Sequence, residues 1–109
     1  MSKGTVVLLP FPFTDFSGNK IRPCLVLYEQ KGGEDCIVAC ISSQKQARLY
    51  AWDVRVNATS ANGLKVDSII KMDKIATLEK KIVLGELGTL EATSLKMVNA
   101  CLKKMFGLT

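Results

Sequence analysis

A chain of 109 residues with 48% apolar content can build one compact domain with its own core and is too short for two of ordinary size. Fifteen basic residues against ten acidic ones leave a net charge of +5, a bias toward a polyanionic partner, and the excess lies from Arg55 onward. The absence of histidine removes the usual general base near neutral pH. No run of about eighteen apolar residues and no cleavage-site pattern after Met1-Ser2-Lys3-Gly4 is present, so neither a membrane span nor a signal peptide is expected and the protein should be cytoplasmic.

Thr5-Val6-Val7-Leu8-Leu9 is a β-branched and aliphatic run that reads as a strand, stopped by Pro10-Phe11-Pro12-Phe13. Thr14 to Lys20 supplies Asp, Ser, Gly and Asn and suits a connection better than a ladder, with Arg22 closing it. A second strand is expected from Pro23 to Tyr28, then a turn over Glu29 to Asp35 whose glycine pair tolerates positive φ. Cys36 to Ile41 is apolar throughout, as a strand buried on both faces would be, and ends on the hydroxyl pair Ser42-Ser43. Cys24, Cys36, Cys40 and Cys101 lie in apolar segments without CxxC spacing and read as small buried hydrophobes, so no metal or other cofactor is expected.

Trp52 to Val56 alternates as a half-exposed strand, and Asn57 to Leu64 is a loop. Ser68 to Ile75 reads as a further strand on which Lys71 and Asp73, two apart, share a face. Thr77 to Gly88 fits a turn plus a short strand. From Ala92 to Phe106 the period changes: Leu95, Val98, Leu102 and Met105 fall on one helical face, and Gly107 is the stop. The expected architecture is mainly β with a C-terminal helix, a small strongly bent barrel.

Three features carry chemistry: Arg22 after the loop, Ser42 at a strand end, and Lys71 with Asp73. In their order, together with Pro10-Phe11-Pro12-Phe13-Thr14-Asp15, Arg22-Pro23, Ala39-Cys40-Ile41-Ser42-Ser43 and the stretch Asp67 to Leu78, they resemble the MazF/PemK family of type II toxin-antitoxin endoribonucleases, nearly end to end. The resemblance implies one SH3-like barrel domain over 1–109 that forms a homodimer, cuts single-stranded RNA without metal and is neutralised by a small antitoxin. It further implies attack by the ribose 2′-hydroxyl, leaving a 2′,3′-cyclic phosphate and a 5′-hydroxyl.

Arg22 then falls where the family stabilises the phosphorane, a role that a fixed guanidinium fills through paired hydrogen bonds. Ser42 falls on the catalytic Thr or Ser. Its hydroxyl is too weak an acid to serve as a base and instead orients the 2′-hydroxyl or a phosphate oxygen. Lys71 and Asp73 match an arginine and an aspartate of some members; lysine lacks the planar fork but can still bind phosphate. Phe16, Ser17, Asn19, Lys20, Ser43, Gln44 and Lys45 are the expected RNA-contacting residues. Phe16 is the foremost stacking candidate among Phe11, Phe13, Tyr50 and Trp52; Phe11 and Trp52 suit the core better. Two other readings share the barrel: a CcdB-like gyrase poison binding through Met97, Lys103, Lys104 and Phe106, and an inactive RNA-binding module.

Overall fold

The computed structural model describes residues 1–11, 20–43 and 49–108. Six strands, β1 (Thr5–Phe11), β2 (Lys20–Glu29), β3 (Asp35–Ser43), β4 (Asp53–Val56), β5 (Ser68–Glu79) and β6 (Gly85–Thr89), are followed by one helix, α1 (Ala92–Met105). They form a curled antiparallel sheet in the order β4-β5-β3-β2-β1-β6. The expected architecture, mainly β with a C-terminal helix, is the one observed.

Apolar side chains leave both faces of the sheet, which explains why β3 reads as continuously apolar. Leu25, Ala39, Ile41, Ile70 and Met72 build one core, closed by α1 through buried Val98 with Leu95, Leu102 and Met105 against it. Val7, Leu9, Phe11, Cys24, Val26, Val38 and Cys40 build a second cluster. Trp52 packs against the first core and Phe11 is fully buried in the second, as expected for both. The cysteines are free; Cys24, Cys36 and Cys40 are buried, and Cys101 is half-buried on α1. The helix stops as its sequence requires: Gly107 takes φ +68°, its N–H donates to Lys104 O, and the Leu108 N–H reaches back to Lys103 O at 2.8 Å.

Several boundaries differ from expectation. β1 runs through Pro10 to Phe11, and β2 begins at Lys20, so Arg22, expected to close the loop, belongs to the strand and Pro23 lies inside it. Proline is tolerated because β1 has no registered β6 partner beyond Leu8, and β2 has none on β3 before Cys24; at Pro10 and Pro23 one side of the strand has no ladder to break. The strand from Ser68 continues to Glu79 and is followed by a short 3₁₀ turn, Lys80–Ile82.

The loop after β4 is built on Asn62, which is fully buried. Its Oδ1 accepts the N–H groups of Thr59 and Leu64, and its Nδ2 donates to Asn57 O at 2.8 Å and to Glu91 Oε1 at 3.1 Å. The Thr59 hydroxyl donates to the other oxygen of Glu91, so the loop is lashed to the start of α1. Gly63, at φ +71°, and Gly88 let the loop lie directly on β6; a Cβ on either would stand 2.2 Å from a backbone oxygen.

Candidate active site

Strand register decides which side chains share a face, because opposed residues in a ladder point the same way. The pairs Val7↔Cys24, Cys24↔Cys40, Cys40↔Lys71 and Lys71↔Asp53 form one unbroken row across β1, β2, β3, β5 and β4. Two residues further out on β2 and β3 stand Arg22 and Ser42, which therefore share the face of Cys24 and Cys40. Arg22 is opposite Leu9, and Ser42 is opposite Ile69. The topology thus gathers Arg22, Ser42 and Lys71, three residues drawn from three separate strands, on one face of the sheet.

Arg22 is half-buried, and its Nε is a buried donor with no hydrogen-bond partner among the described residues. A buried unmatched donor costs about 1 to 3 kcal/mol, which a substrate oxygen would recover. The Ser42 side chain makes no hydrogen bond among the described residues and is half-buried at the penultimate position of β3. Ser43, of opposite parity, is exposed and lies opposite Ser68. It lines a cleft of about 330 Å³, walled by Ile21, Pro23, Ile41, Leu64 and Leu87, to which Arg22 also contributes. One residue of parity therefore separates the two serines, Ser42 toward the cationic face and Ser43 toward the cleft.

The electrostatics of Cys40 locate the cations around it. Burial pushes its thiol up, opposed by the positive charges of Arg22, Lys74 and Lys71. Cys24 is pushed well above the ordinary thiol range, first by burial and then by Cys40. Both thiols stay protonated at neutral pH despite the nearby cations, so neither supplies a thiolate nucleophile or base.

The expected Lys71–Asp73 relation takes a different form. Between Cys40↔Lys71 and Ala39↔Ile75, β5 carries three residues, Met72, Asp73 and Lys74, against none on β3. The bulge breaks the alternation on which a shared face depends, and Asp73 and Lys74 are exposed in succession. The charge of Asp73 is felt at Cys101 on α1, that of Lys74 at Cys40. The carboxylate that pairs with Lys71 is Asp53, at 3.2 Å, with side-chain exposures of 15% for the lysine and 2% for the aspartate. Sequence reasoning missed Asp53 because its partner lies eighteen positions away across a strand pairing; the available signal was an acid at the start of a half-exposed strand.

Tyr50 is exposed, with the Lys71 Nζ 5.4 Å from its ring centroid, which sets this ring, among the described residues, beside the cationic face. Lys20, the first residue of β2, is exposed opposite Phe11. Phe16, Ser17, Asn19, Gln44 and Lys45 lie outside the described residues. Also among the described residues, no group of three His, Cys, Asp or Glu side chains is placed to hold a metal ion, and no helix is long and apolar enough to cross a membrane.

No curated protein matches the sequence. Solved structures do match the fold. An endoribonuclease in complex with its cognate antitoxin from a mycobacterial species superposes with a TM-score of 0.77 at 19% identity, over 100% of this chain and 97% of that one. MazF from Deinococcus radiodurans gives 0.77 at 21% identity, over 98% and 96%. The Mycobacterium tuberculosis toxin MazF-mt6 gives 0.74 at 21%, over 94% and 96%. At such identities the likeness establishes the fold, while the family rests on the sequence: residues 2–106 match the model of the PemK-like, MazF-like toxins of type II toxin-antitoxin systems. With nearly its whole length matched, and with the fold of that group, the chain belongs to the PemK-like, MazF-like toxin family.

Proposed function

We propose that this toxin is an endoribonuclease, its 109 residues acting as a single catalytic domain in the cytoplasm, that cuts single-stranded RNA at short preferred sequences through attack of the 2′-hydroxyl, without metal. The observation that carries the reading is the buried Arg22 Nε, without a hydrogen-bond partner among the described residues, on the face it shares with Ser42 and Lys71. As O2′ gives up its proton to water and bonds to phosphorus, negative charge builds on the non-bridging oxygens of the phosphorane; when the P–O5′ bond then breaks, its electron pair leaves on O5′, which takes a proton from water. A guanidinium already fixed by a strand meets that charge with little reorganisation, and such a donor is worth about 3 to 4 kcal/mol. Ser42 orients the 2′-hydroxyl or a phosphate oxygen, and Lys71 binds RNA phosphate beside it. With no histidine in the chain, catalysis rests on positioning and charge rather than on an imidazole base. The ends left are a 2′,3′-cyclic phosphate and a 5′-hydroxyl.

A mycobacterial endoribonuclease of this fold is held by a cognate antitoxin, and by analogy this chain acts as a homodimer silenced by a small antitoxin of its own. Incubation of the purified protein with long single-stranded RNA in excess EDTA, with end-group analysis, tests the reading. Discrete cuts with cyclic phosphate and 5′-hydroxyl ends are expected; RNA left intact across several substrates, or cuts that need added divalent metal, would contradict it.

A further inference from the structure

We infer that Asp53 is a positioning residue, holding Lys71 and Tyr50 as one unit that receives a single nucleotide of the RNA, the ring against its base and the ammonium against its phosphate. The inference rests on the ribonuclease reading above. One carboxylate oxygen makes both connections: Asp53 Oδ2 accepts from Lys71 Nζ at 3.2 Å and from the Tyr50 N–H at 2.9 Å. The turn is closed by the Asp53 N–H, which donates to Tyr50 O at 3.1 Å, and by the Met72 N–H, which donates to Trp52 O. Ammonium and ring therefore stand on the same anchor, 5.4 Å from nitrogen to ring centroid.

Burial gives the arrangement a direction. The Asp53 side chain is 2% exposed, that of Lys71 15%, and Tyr50 as a residue 61%. The negative charge is inside, the positive charge at the surface and the aromatic face outermost, so an approaching polyanion meets cation and ring without meeting the carboxylate. An ammonium has three donors and Asp53 accepts one, which leaves donors for a phosphate. A buried carboxylate left without its cation is strongly disfavoured, so the pair persists and the lysine keeps its place. Lys71 is also the direct neighbour of Cys40, two register steps from Ser42 on the same face, which puts the subsite beside the reacting phosphate.

The test measures binding of an uncleavable 2′-O-methyl RNA oligonucleotide across a salt series, beside cleavage kinetics, for the full chain and for Asp53→Asn, Lys71→Met, the double variant, Lys71→Arg and Tyr50→Leu. Each of Asp53→Asn, Lys71→Met and Tyr50→Leu should weaken binding about tenfold. Asp53→Asn and Lys71→Met should each lower the slope of log K against log salt by about 0.7, the signature of one phosphate on a single strand. The double variant should be no worse than the worse single one. The loss in kcat/KM should lie in KM more than in kcat, and Lys71→Arg should retain binding. Asp53→Asn that binds RNA as well as wild type or better, or losses that multiply in the double variant, would overturn the inference. If Asp53→Asn does not fold, Tyr50→Leu decides: weakened binding supports the subsite, unchanged binding removes it. A wild-type protein that binds RNA with these dependences but never cuts would sink the ribonuclease and keep the subsite; one that cuts while the variants match it would do the reverse.

Discussion

Two polar regions of this small curled-sheet domain are built in opposite ways. In the loop after β4, the side chain of Asn62 is fully buried and saturated: two N–H groups donate to its Oδ1, and its Nδ2 donates to Asn57 O and Glu91 Oε1. Where β2 and β3 run outward past Cys24 and Cys40, a buried Arg22 nitrogen has no partner among the described residues. Both regions place polar atoms out of water, but only the first has completed its bonds. Saturated networks fix a chain, whereas an unmatched buried donor is a cost that folding alone does not explain and that a ligand can recover.

Substitutions on the two sides should separate cleanly, activity being lost on one and stability on the other. Arg22→Ala has the largest expected effect: single-turnover cleavage should fall about 10²- to 10³-fold, with the thermal midpoint unchanged or raised, since the unmatched donor goes with it. Asn62→Ala should do the converse, costing about 2 to 4 kcal/mol in denaturant unfolding while the rate per folded molecule stays near wild type. A rate loss in Asn62→Ala as large as that in Arg22→Ala would erase the distinction. Ser42→Ala should lower cleavage about tenfold and shift stability by less than about 0.5 kcal/mol.

The smallest effect belongs to Glu91. The hydrogen bond from Thr59 first, then one from its own backbone, and least the one from Asn62, hold its carboxyl below the ordinary glutamate range. A lowered folded value means that its contribution is fully present above the ordinary glutamate pKa and is lost as the pH falls through the folded one. Glu91→Gln should cost less than about 1 kcal/mol at neutral pH and should flatten the acid limb of a stability–pH curve, measured by urea unfolding between neutral and acid pH.

The parts of the fold legible in the sequence are those set by periodicity. Apolar spacing from Leu95 to Met105 has one helical solution, and Gly107 ends it by the conformation that glycine tolerates. The unbroken run from Cys36 to Ile41, short, bounded by turn residues and rich in β-branched side chains, reads as a strand covered on both faces, and Ser42 stands near its end. What was not legible depends on pairing between distant strands. Pro10 looks like a strand stop and Pro23 like a strand's first residue because sequence does not reveal that one side of each strand lacks a neighbour there. Lys71 and Asp73 look like one face because the three-residue bulge of β5 leaves no local mark. Asp53 becomes the partner of Lys71 only once β4 lies beside β5.

The most direct measurement takes the mapped cleavage sequence in a short RNA and replaces the ribose on the 5′ side of the scissile phosphate with 2′-deoxyribose, in excess EDTA. If Arg22 stabilises a phosphorane formed by the substrate's own 2′-hydroxyl, that single missing oxygen should abolish cutting at the site while the oligonucleotide still binds. Continued cutting at the deoxy position would mean that another nucleophile does the chemistry, and that the face shared by Arg22, Ser42 and Lys71 serves a different reaction.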